Sequence, residues 1–386
     1  MKVVILGPAH PYRGGIAALN ERLALAMGRD GHNVRIITFT LQYPGFLFPG
    51  KTQFTDDPPP AGIIITRKIN AINPLNWIRT GISLRKERPD LVIARFWIPF
   101  IGPSLGTICR IIRKNRHSLI LGLADNIVPH EKKPGDRMLT AYFIHSLDGI
   151  VVMSKSVMDD LDGFDPNKPR KYGPHPIYDH YGRIYGREEA LRNLRLDPGY
   201  RYMLFFGLVR DYKGLDLVID AMKEPRLKHQ NVRLIVAGEF YSDREKYLDK
   251  VKKSALEEQV LFFDRYIPNS EVEDFFNAAD IVVQPYKSAT QSGVTQVAYH
   301  FNKPMLVTRV GGLAEIVAHG RAGYVCQPEA GEIAEALHDF FSNDRKKTFE
   351  TYVAAEKQRF GWDHFTKLFY DLKEECDARK NYGDHS

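Results

Sequence analysis

A chain of 386 residues with 44% apolar residues and 11% aromatics has room for about two globular domains and is too apolar for a disordered protein. The apolar opening from Val3 to Leu6 is too short for a signal-peptide core. The longest charge-free stretch, Phe96 to Cys109, is broken by Pro99, Gly102, Pro103 and Gly106, so neither a leader nor a membrane span is expected.

The net charge of +7 is unevenly placed: 25 Lys/Arg against 15 Asp/Glu up to residue 185, and 29 against 32 beyond it. A basic N-terminal half suits a phosphate-bearing partner or an anionic surface, and is equally compatible with solvated surface alone. The three cysteines, Cys109, Cys326 and Cys376, show no metal or redox spacing, which fits a reducing cytoplasm.

In chain order, "KVVIL" reads as a strand, "GPAHPYRGG" as a breaker-rich loop and "IAALNERLALAMGRD" as a helix with Ile16, Leu19, Leu23 and Met27 on one face. Further strands are predicted at "NVRIITF", "GIIITRK", "DLVIARF", "SLILGLA" and "GIVVMS". "DHYGRIYGREEALRNLRLDPG" reads as a linker with a short helix. The alternation then restarts with "YRYMLFFGL", "LDLVIDAM", "VRLIVAGE", "VEDFFNAA", "DIVVQPY", a helix from about Gly293, and "PMLVTRV". Helices at "GEIAEALHDFFSN" and "WDHFTKLFYDLKEECDARK" close the chain. Strands alternating with helices predict an α/β protein of two doubly wound, Rossmann-like domains facing each other across a cleft.

Three segments carry chemistry. Paired Gly14 and Gly15 at a strand-to-helix turn let backbone N–H groups approach an anion, although turn glycines alone would explain them. In "FFGLVRDYKGLD", Arg210 and Lys213 flank a loop at a strand's carboxyl end, where two cations can neutralise a diphosphate. Between Asp280 and Glu315 there is no acidic residue. In that gap Ser292 is the expected N-cap of a helix, and the first-turn amides of Gly293, Val294 and Thr295 form a further anion site.

These segments resemble family four of the retaining glycosyltransferases, over nearly the whole length. The "RGG" loop with the helix and strand after it, "VVMSKSVMDDL", "FGLVRDYKGLD", "QVAYHFNKPMLVTRVGG" and "GWDHFTKLFYDL" carry the likeness. The resemblance implies a GT-B fold with an acceptor-binding domain at 1–182, a nucleotide-sugar-binding domain at 183–360 and a helix at 361–386 that returns toward the first domain. It implies a hexosyl transfer with retained configuration, with no metal and no cofactor beyond the nucleotide-sugar co-substrate. The acceptor is expected to be a glycan or lipid-linked glycan of a polysaccharide pathway. Lys213 matches the family's phosphate-binding lysine, and Gly14 and Gly15 match its donor-phosphate glycines.

There are departures from the family pattern. Leu208 stands where the family has arginine, with Arg210 two residues on. Ser288 and Gln296 stand where it has two glutamates, and Gln296 can still hydrogen-bond ribose hydroxyls. Asp125 stands at the usual histidine place, so Asp125 and His130 are the candidate catalytic residues, the former for a sugar hydroxyl and the latter as base. The D-x-D at Asp160 and Asp162 reads as a solvated helix end. Basic helical "WIRTGISLRKERPD" and "TICRIIRKNRH" suit peripheral contact with an anionic membrane at the inner face of the cell, or ordinary packing with Lys/Arg outward. No nucleic-acid recognition module appears. A nucleotide-sugar-binding pseudoenzyme and a GT-B sugar epimerase are the alternatives.

Overall fold

The structure, a computed structural model, describes residues 1–44, 52–129, 133–179, 181–289 and 292–383. The chain divides into two compact units, Met1–His175 with Trp362–Ser386, and Pro176–Gly361.

The first unit runs β1 (Lys2–Leu6), α1 (Gly15–Arg29), β2 (Asn33–Leu41), β3 (Ile64–Asn70), α2 (Pro74–Glu87), β4 (Leu91–Phe96), α3 (Gly102–Arg113), β5 (Leu119–Ala124), α4 (Asp136–Ile144), β6 (Gly149–Val152), α5 (Lys155–Asp162) and β7 (Arg170–Tyr172). Its sheet is parallel, in the order β3-β2-β1-β4-β5-β6-β7. Every residue of β4, β5 and β6 is buried, which is why these strands are continuous apolar runs rather than alternating ones. On α1, Leu19, Leu23 and Met27 are fully buried, with Ile16 packed at the edge of the core.

The second unit runs α6 (Arg187–Asn193), β8 (Arg201–Phe206), α7 (Leu215–Ala221), α8 (Pro225–Lys228), β9 (Val232–Ala237), α9 (Arg244–Lys253), β10 (Val260–Phe263), α10 (Asn269–Ala278), β11 (Ile281–Gln284), α11 (Gly293–His300), β12 (Met305–Thr308), α12 (Leu313–Ile316), β13 (Gly323–Cys326), α13 (Ala330–Ser342) and α14 (Lys346–Glu356). Its parallel sheet has the order β10-β9-β8-β11-β12-β13. The last helix, α15 (Trp362–Gly383), belongs to the first unit. There the Cys376 thiol meets the Asp148 carbonyl at 3.5 Å, and Tyr370 donates to Asp30 at 2.7 Å.

The second unit begins at Pro176 rather than at the expected residue 183, because the intervening chain is tied to it. The Ile177 N–H donates to the Phe360 carbonyl at 3.0 Å, and His300 Nε2 donates to the Gly182 carbonyl at 2.8 Å.

In both sheets the strand order reverses direction once, between β1 and β4 and between β8 and β11. Open α/β sheets bind ligands at such points, outside the strands' carboxyl ends. The loop after β8 is shaped for close approach. Gly238, with φ +147°, has no room for a side chain, because a Cβ there would lie 2.1 Å from the Gly207 carbonyl oxygen. Gly238→Ala is expected to lower stability by about 1–3 kcal/mol, since backbone must move and the φ is strained. Urea unfolding at unchanged m-value checks this.

Candidate functional site

At the β8/β11 switch point the chain brings a cation to a helix N-terminus. Gly207 ends β8 with φ +92°. A Cβ placed on it would lie 3.3 Å from Lys213 Nζ and 3.8 Å from Val294 Cγ2. The loop between is pinned on both sides: Val209 N–H donates to Glu239 O and Tyr241 N–H to Val209 O, each at 2.9 Å. A short 3-10 turn, Asp211–Lys213, follows. Gly214 closes it at φ +69°, in a space where a Cβ would stand 1.9 Å from the Pro285 carbonyl oxygen. Lys213 therefore has its direction set by backbone, not by an ion pair.

Indeed the Lys213 ammonium makes no hydrogen bond or ion pair with any described residue. Its Nζ faces the Tyr286 ring at 5.6 Å, and Arg210 lies over the Tyr241 ring at 5.2 Å, likewise without a described carboxylate partner. Burial, with Arg210 adding repulsion, lowers the Lys213 ammonium to about 8. Lys303 is lowered to about 8 by burial as well, but it has Glu350 at 3.7 Å and the Asn277 carbonyl at 3.4 Å. An ammonium desolvated without a counter-ion is costly. Perturbed groups of this kind cluster at functional sites.

The first turn of α11 adds donors to the same place. The carbonyls of a helix's own first turn cannot serve its first amides, and α11 has no side-chain cap and no acid in that turn. Ser292 does occupy the N-cap position, but its hydroxyl, expected to cap, instead meets the Tyr286 hydroxyl at 3.3 Å. Gly293 accommodates the Tyr178 ring: a Cβ would stand 2.9 Å from its Cε2. Thr295 is turned inward, donating to Gln284 Oε1 at 3.1 Å. Gln296 is buried with its Oε1 lacking a partner, as is Gln284 Nε2. Ser288 is exposed on the preceding loop.

Of the expected donor residues, Lys213 and Val294 are thus brought together at the Gly207 turn, with Ser292, Gly293, Thr295 and Gln296 on or beside the same short helix and Arg210 on the loop. Tyr286, Tyr178 and Gly238 were not singled out by sequence. Tyr286 lies inside the acid-free stretch, while nothing local marks Tyr178.

Gly14 and Gly15 stand in the first unit. Gly14, at φ +107° with open space around its missing Cβ, precedes α1 as N-cap, and Gly15 is the helix's first residue. Its loop is held by Ala9 N–H to Thr38 Oγ1 at 3.0 Å and His10 N–H to Glu21 Oε1 at 2.6 Å; burial raises the Glu21 carboxyl to about 7.

Asp125, expected to grip a sugar hydroxyl, follows β5 with both carboxylate oxygens held by Arg95 of β4, Nε to Oδ2 at 2.7 Å and Nη2 to Oδ1 at 2.5 Å. The Arg95 side chain is 1% exposed. Burial pushes the Asp125 carboxyl up, and Arg95 opposes that. His130 and Glu131 lie outside the described residues. Asp162 at the end of α5 pairs with Arg170 at 2.6 Å. No group of three metal-ligating side chains is found among the described residues.

The profile described as Glycosyltransferase Family 4 matches residues 13–172, and that described as Glycosyl transferases group 1 matches 186–358. Sucrose-phosphate synthase from Thermosynechococcus elongatus superposes with a TM-score of 0.75 at 16% identity, over 98% of this chain and 100% of that one. The chain is a glycosyltransferase of the GT-B fold. HepE of Anabaena in complex with UDP-glucose shares this GT-B architecture, at a TM-score of 0.68 and 15% identity over 99% of this chain and 100% of that one.

Among curated relatives, the D-inositol 3-phosphate glycosyltransferase of Pseudarthrobacter chlorophenolicus is 29% identical over 180 residues, 46% of this chain and 43% of that protein. The match thus spans less than half of that relative. The uncharacterized glycosyltransferase MJ1607 of Methanocaldococcus jannaschii is 24% identical over 95% of this chain and 96% of its own.

Within this glycosyltransferase the Arg95–Asp125 fork makes a separable prediction. Asp125→Ala leaves a buried guanidinium uncompensated and is expected to cost about 3–5 kcal/mol of stability, whereas the double variant Arg95→Met/Asp125→Leu recovers most of it. Denaturant unfolding of the three proteins checks this. Full recovery of turnover in the double variant would remove Asp125 from the chemistry.

Proposed function

We propose that this glycosyltransferase moves a hexosyl group from a nucleotide sugar to a glycan or lipid-linked glycan acceptor, retaining the anomeric configuration and needing no metal. The observation that carries this reading is the counter-ion-free Lys213 beside Gly207 and the acid-free start of α11. A nucleoside diphosphate supplies the missing negative charge. Lys213 and Arg210 neutralise it, and the amides of Gly293, Val294 and Thr295 receive its oxygens. Gln296, with its unpartnered Oε1, accepts from a ribose hydroxyl in place of the family's carboxylate.

In the reaction the bond between the anomeric carbon and the diphosphate oxygen breaks while the acceptor oxygen bonds on the same face. The acceptor's proton passes to a leaving phosphate oxygen. Negative charge grows on the diphosphate as it departs, so the fixed cations and amides stabilise the transition state more than the ground state. Positioning supplies the rest. The first unit takes the acceptor. The enzyme works in the cytoplasm, and the basic helices of the first unit favour contact with an anionic membrane.

The test is a thermal-shift and calorimetric screen of GDP-, UDP- and ADP-sugars. A ligand at 100 times its Kd adds about 2.7 kcal/mol to stability, a rise of a few degrees in melting temperature. Lys213→Ala is expected to weaken the responding nucleotide by roughly 10- to 100-fold, the loss of a charge-assisted contact of about 1.5–3 kcal/mol. Equal affinity in Lys213→Ala would refute the donor site. Tight binding without turnover of any acceptor would favour the pseudoenzyme reading.

A further inference from the structure

Tyr286 stands between the lysine and the helix terminus of the second unit's site. It lies two residues beyond β11 and is 3% exposed. The backbone around it is fastened on three sides. The Pro285 carbonyl lies against Gly214, the Tyr286 carbonyl accepts from Thr308 Oγ1 of β12 at 2.5 Å, and the Lys287 N–H donates to the Tyr212 carbonyl at 2.7 Å. The Tyr212 ring meets the Tyr286 ring edge-on at 6.2 Å. Tyr286 is thus anchored to the same turn that carries Lys213.

Each part of its side chain meets one part of the anion site. Lys213 Nζ lies 5.6 Å from the ring centroid, within reach of a cation–π attraction. The hydroxyl meets Ser292 Oγ at 3.3 Å. Burial pushes the phenol's pKa up, so this hydroxyl stays protonated and neutral.

That second contact changes what Ser292 does. Its backbone is extended, at φ −139° and ψ 123°, yet its side chain makes no cap bond to α11. A serine at this position ordinarily accepts from the second or third amide of its helix, here Val294 or Thr295. Ser154, at φ −142° and ψ 154°, does so for α5, accepting from the Val157 N–H at 3.2 Å. What Ser292 has in addition is the tyrosine hydroxyl. At 3.3 Å the pair is long for two hydroxyls, so its effect is to set the serine's direction more than to add stability.

We infer that Tyr286 is a positioning residue of the donor site. Its hydroxyl turns Ser292 away from α11, so the first-turn amides stay open for the oxygens of a diphosphate, and its ring holds the Lys213 ammonium beside them. A capped α11 would offer an anion fewer free donors, and the serine hydroxyl would have to be displaced before the anion bound. The inference rests on the reading of this site as the one that receives a nucleoside diphosphate, and it adds the residue that keeps the site open.

The experiment pairs calorimetric titration of UDP, GDP and ADP with amide hydrogen exchange of the ligand-free protein. The variants are Tyr286→Phe, Ser292→Ala and Tyr286→Leu, with Ser292→Ala also combined with each Tyr286 change, and cooperative melting confirms that each is folded. Phenylalanine keeps the ring and its packing but frees Ser292 to cap α11. Tyr286→Phe is therefore expected to weaken the responding nucleotide roughly fivefold, the worth of one N-cap, and to slow exchange of the Val294 or Thr295 amide by a similar factor. Tyr286→Phe/Ser292→Ala should bind as tightly as Ser292→Ala alone and lose the added protection, a rescue that a merely structural tyrosine would not show. Tyr286→Leu, which removes the ring, should lose affinity that Ser292→Ala does not restore. Equal affinity and exchange in wild type and Tyr286→Phe, or a Tyr286→Phe loss that persists without the Ser292 hydroxyl, would overturn the inference. If the wild type binds none of the three nucleotides, the donor reading fails, and amide exchange then decides by itself whether Tyr286 holds α11 uncapped.

Discussion

A desolvated ammonium without a counter-ion is the constraint around which the second unit is arranged. Lys213 is half-buried and has no carboxylate partner among the described residues, and the backbone around its turn is fixed. Gly207 and Gly214 hold positive φ angles, Gly214 sits against the Pro285 carbonyl, and Gly238 lies against the Gly207 carbonyl. These close approaches fix the turn to the ends of β8, β9 and β11, so the lysine's direction is a property of the sheet. Within the acid-free run from Ile281 to Ala314, a carboxylate beside Tyr286 or Val294 would favour the charged ammonium internally and compete with an incoming anion.

The first unit meets a related constraint in the opposite way. At the carboxyl ends of β4 and β5 the guanidinium of Arg95 is buried, and it is compensated inside the fold by the fork to Asp125. Such a pair holds two strand ends and their loops in register. One unit leaves its half-buried ammonium without a carboxylate among the described residues, and the other pairs its buried guanidinium. That contrast follows from which residue lies within reach, and both cases use the same parallel-sheet geometry.

Much of this was legible in the sequence because parallel sheets write themselves as apolar runs. Central strands such as Leu91–Phe96 and Leu119–Ala124 are buried throughout and stand out from their flanks. The strands that did not stand out are β7, β10 and β13, three or four residues each, and all three are sheet edges. An edge strand needs no continuous apolar run, and "RKY" has none. Charged α9 also escaped notice, since only Tyr247 and Val251 of its residues are buried.

At the site, the cations and the helix start were visible as local patterns. The Arg95–Asp125 fork was not, because it joins residues 30 positions apart. The Ser292 hydroxyl turned to Tyr286 because a tyrosine from the end of β11 reaches it first.

The central claim is that Lys213 waits, desolvated and unpaired, for a nucleoside diphosphate. Nitrogen-15 NMR of labelled lysine, with Lys213→Arg to assign the resonance, measures its titration in the free protein and at saturating nucleotide. In the free protein burial holds the ammonium near 8. The unfolded chain therefore binds the extra proton between about 8 and 10.5, and the fold gains stability as pH rises through that window. With the diphosphate bound, the same group is expected to titrate above its free value, since an opposite charge now favours the cation. A Lys213 resonance that titrates as ordinary lysine does when free, or stays put when nucleotide saturates the protein, would contradict the account.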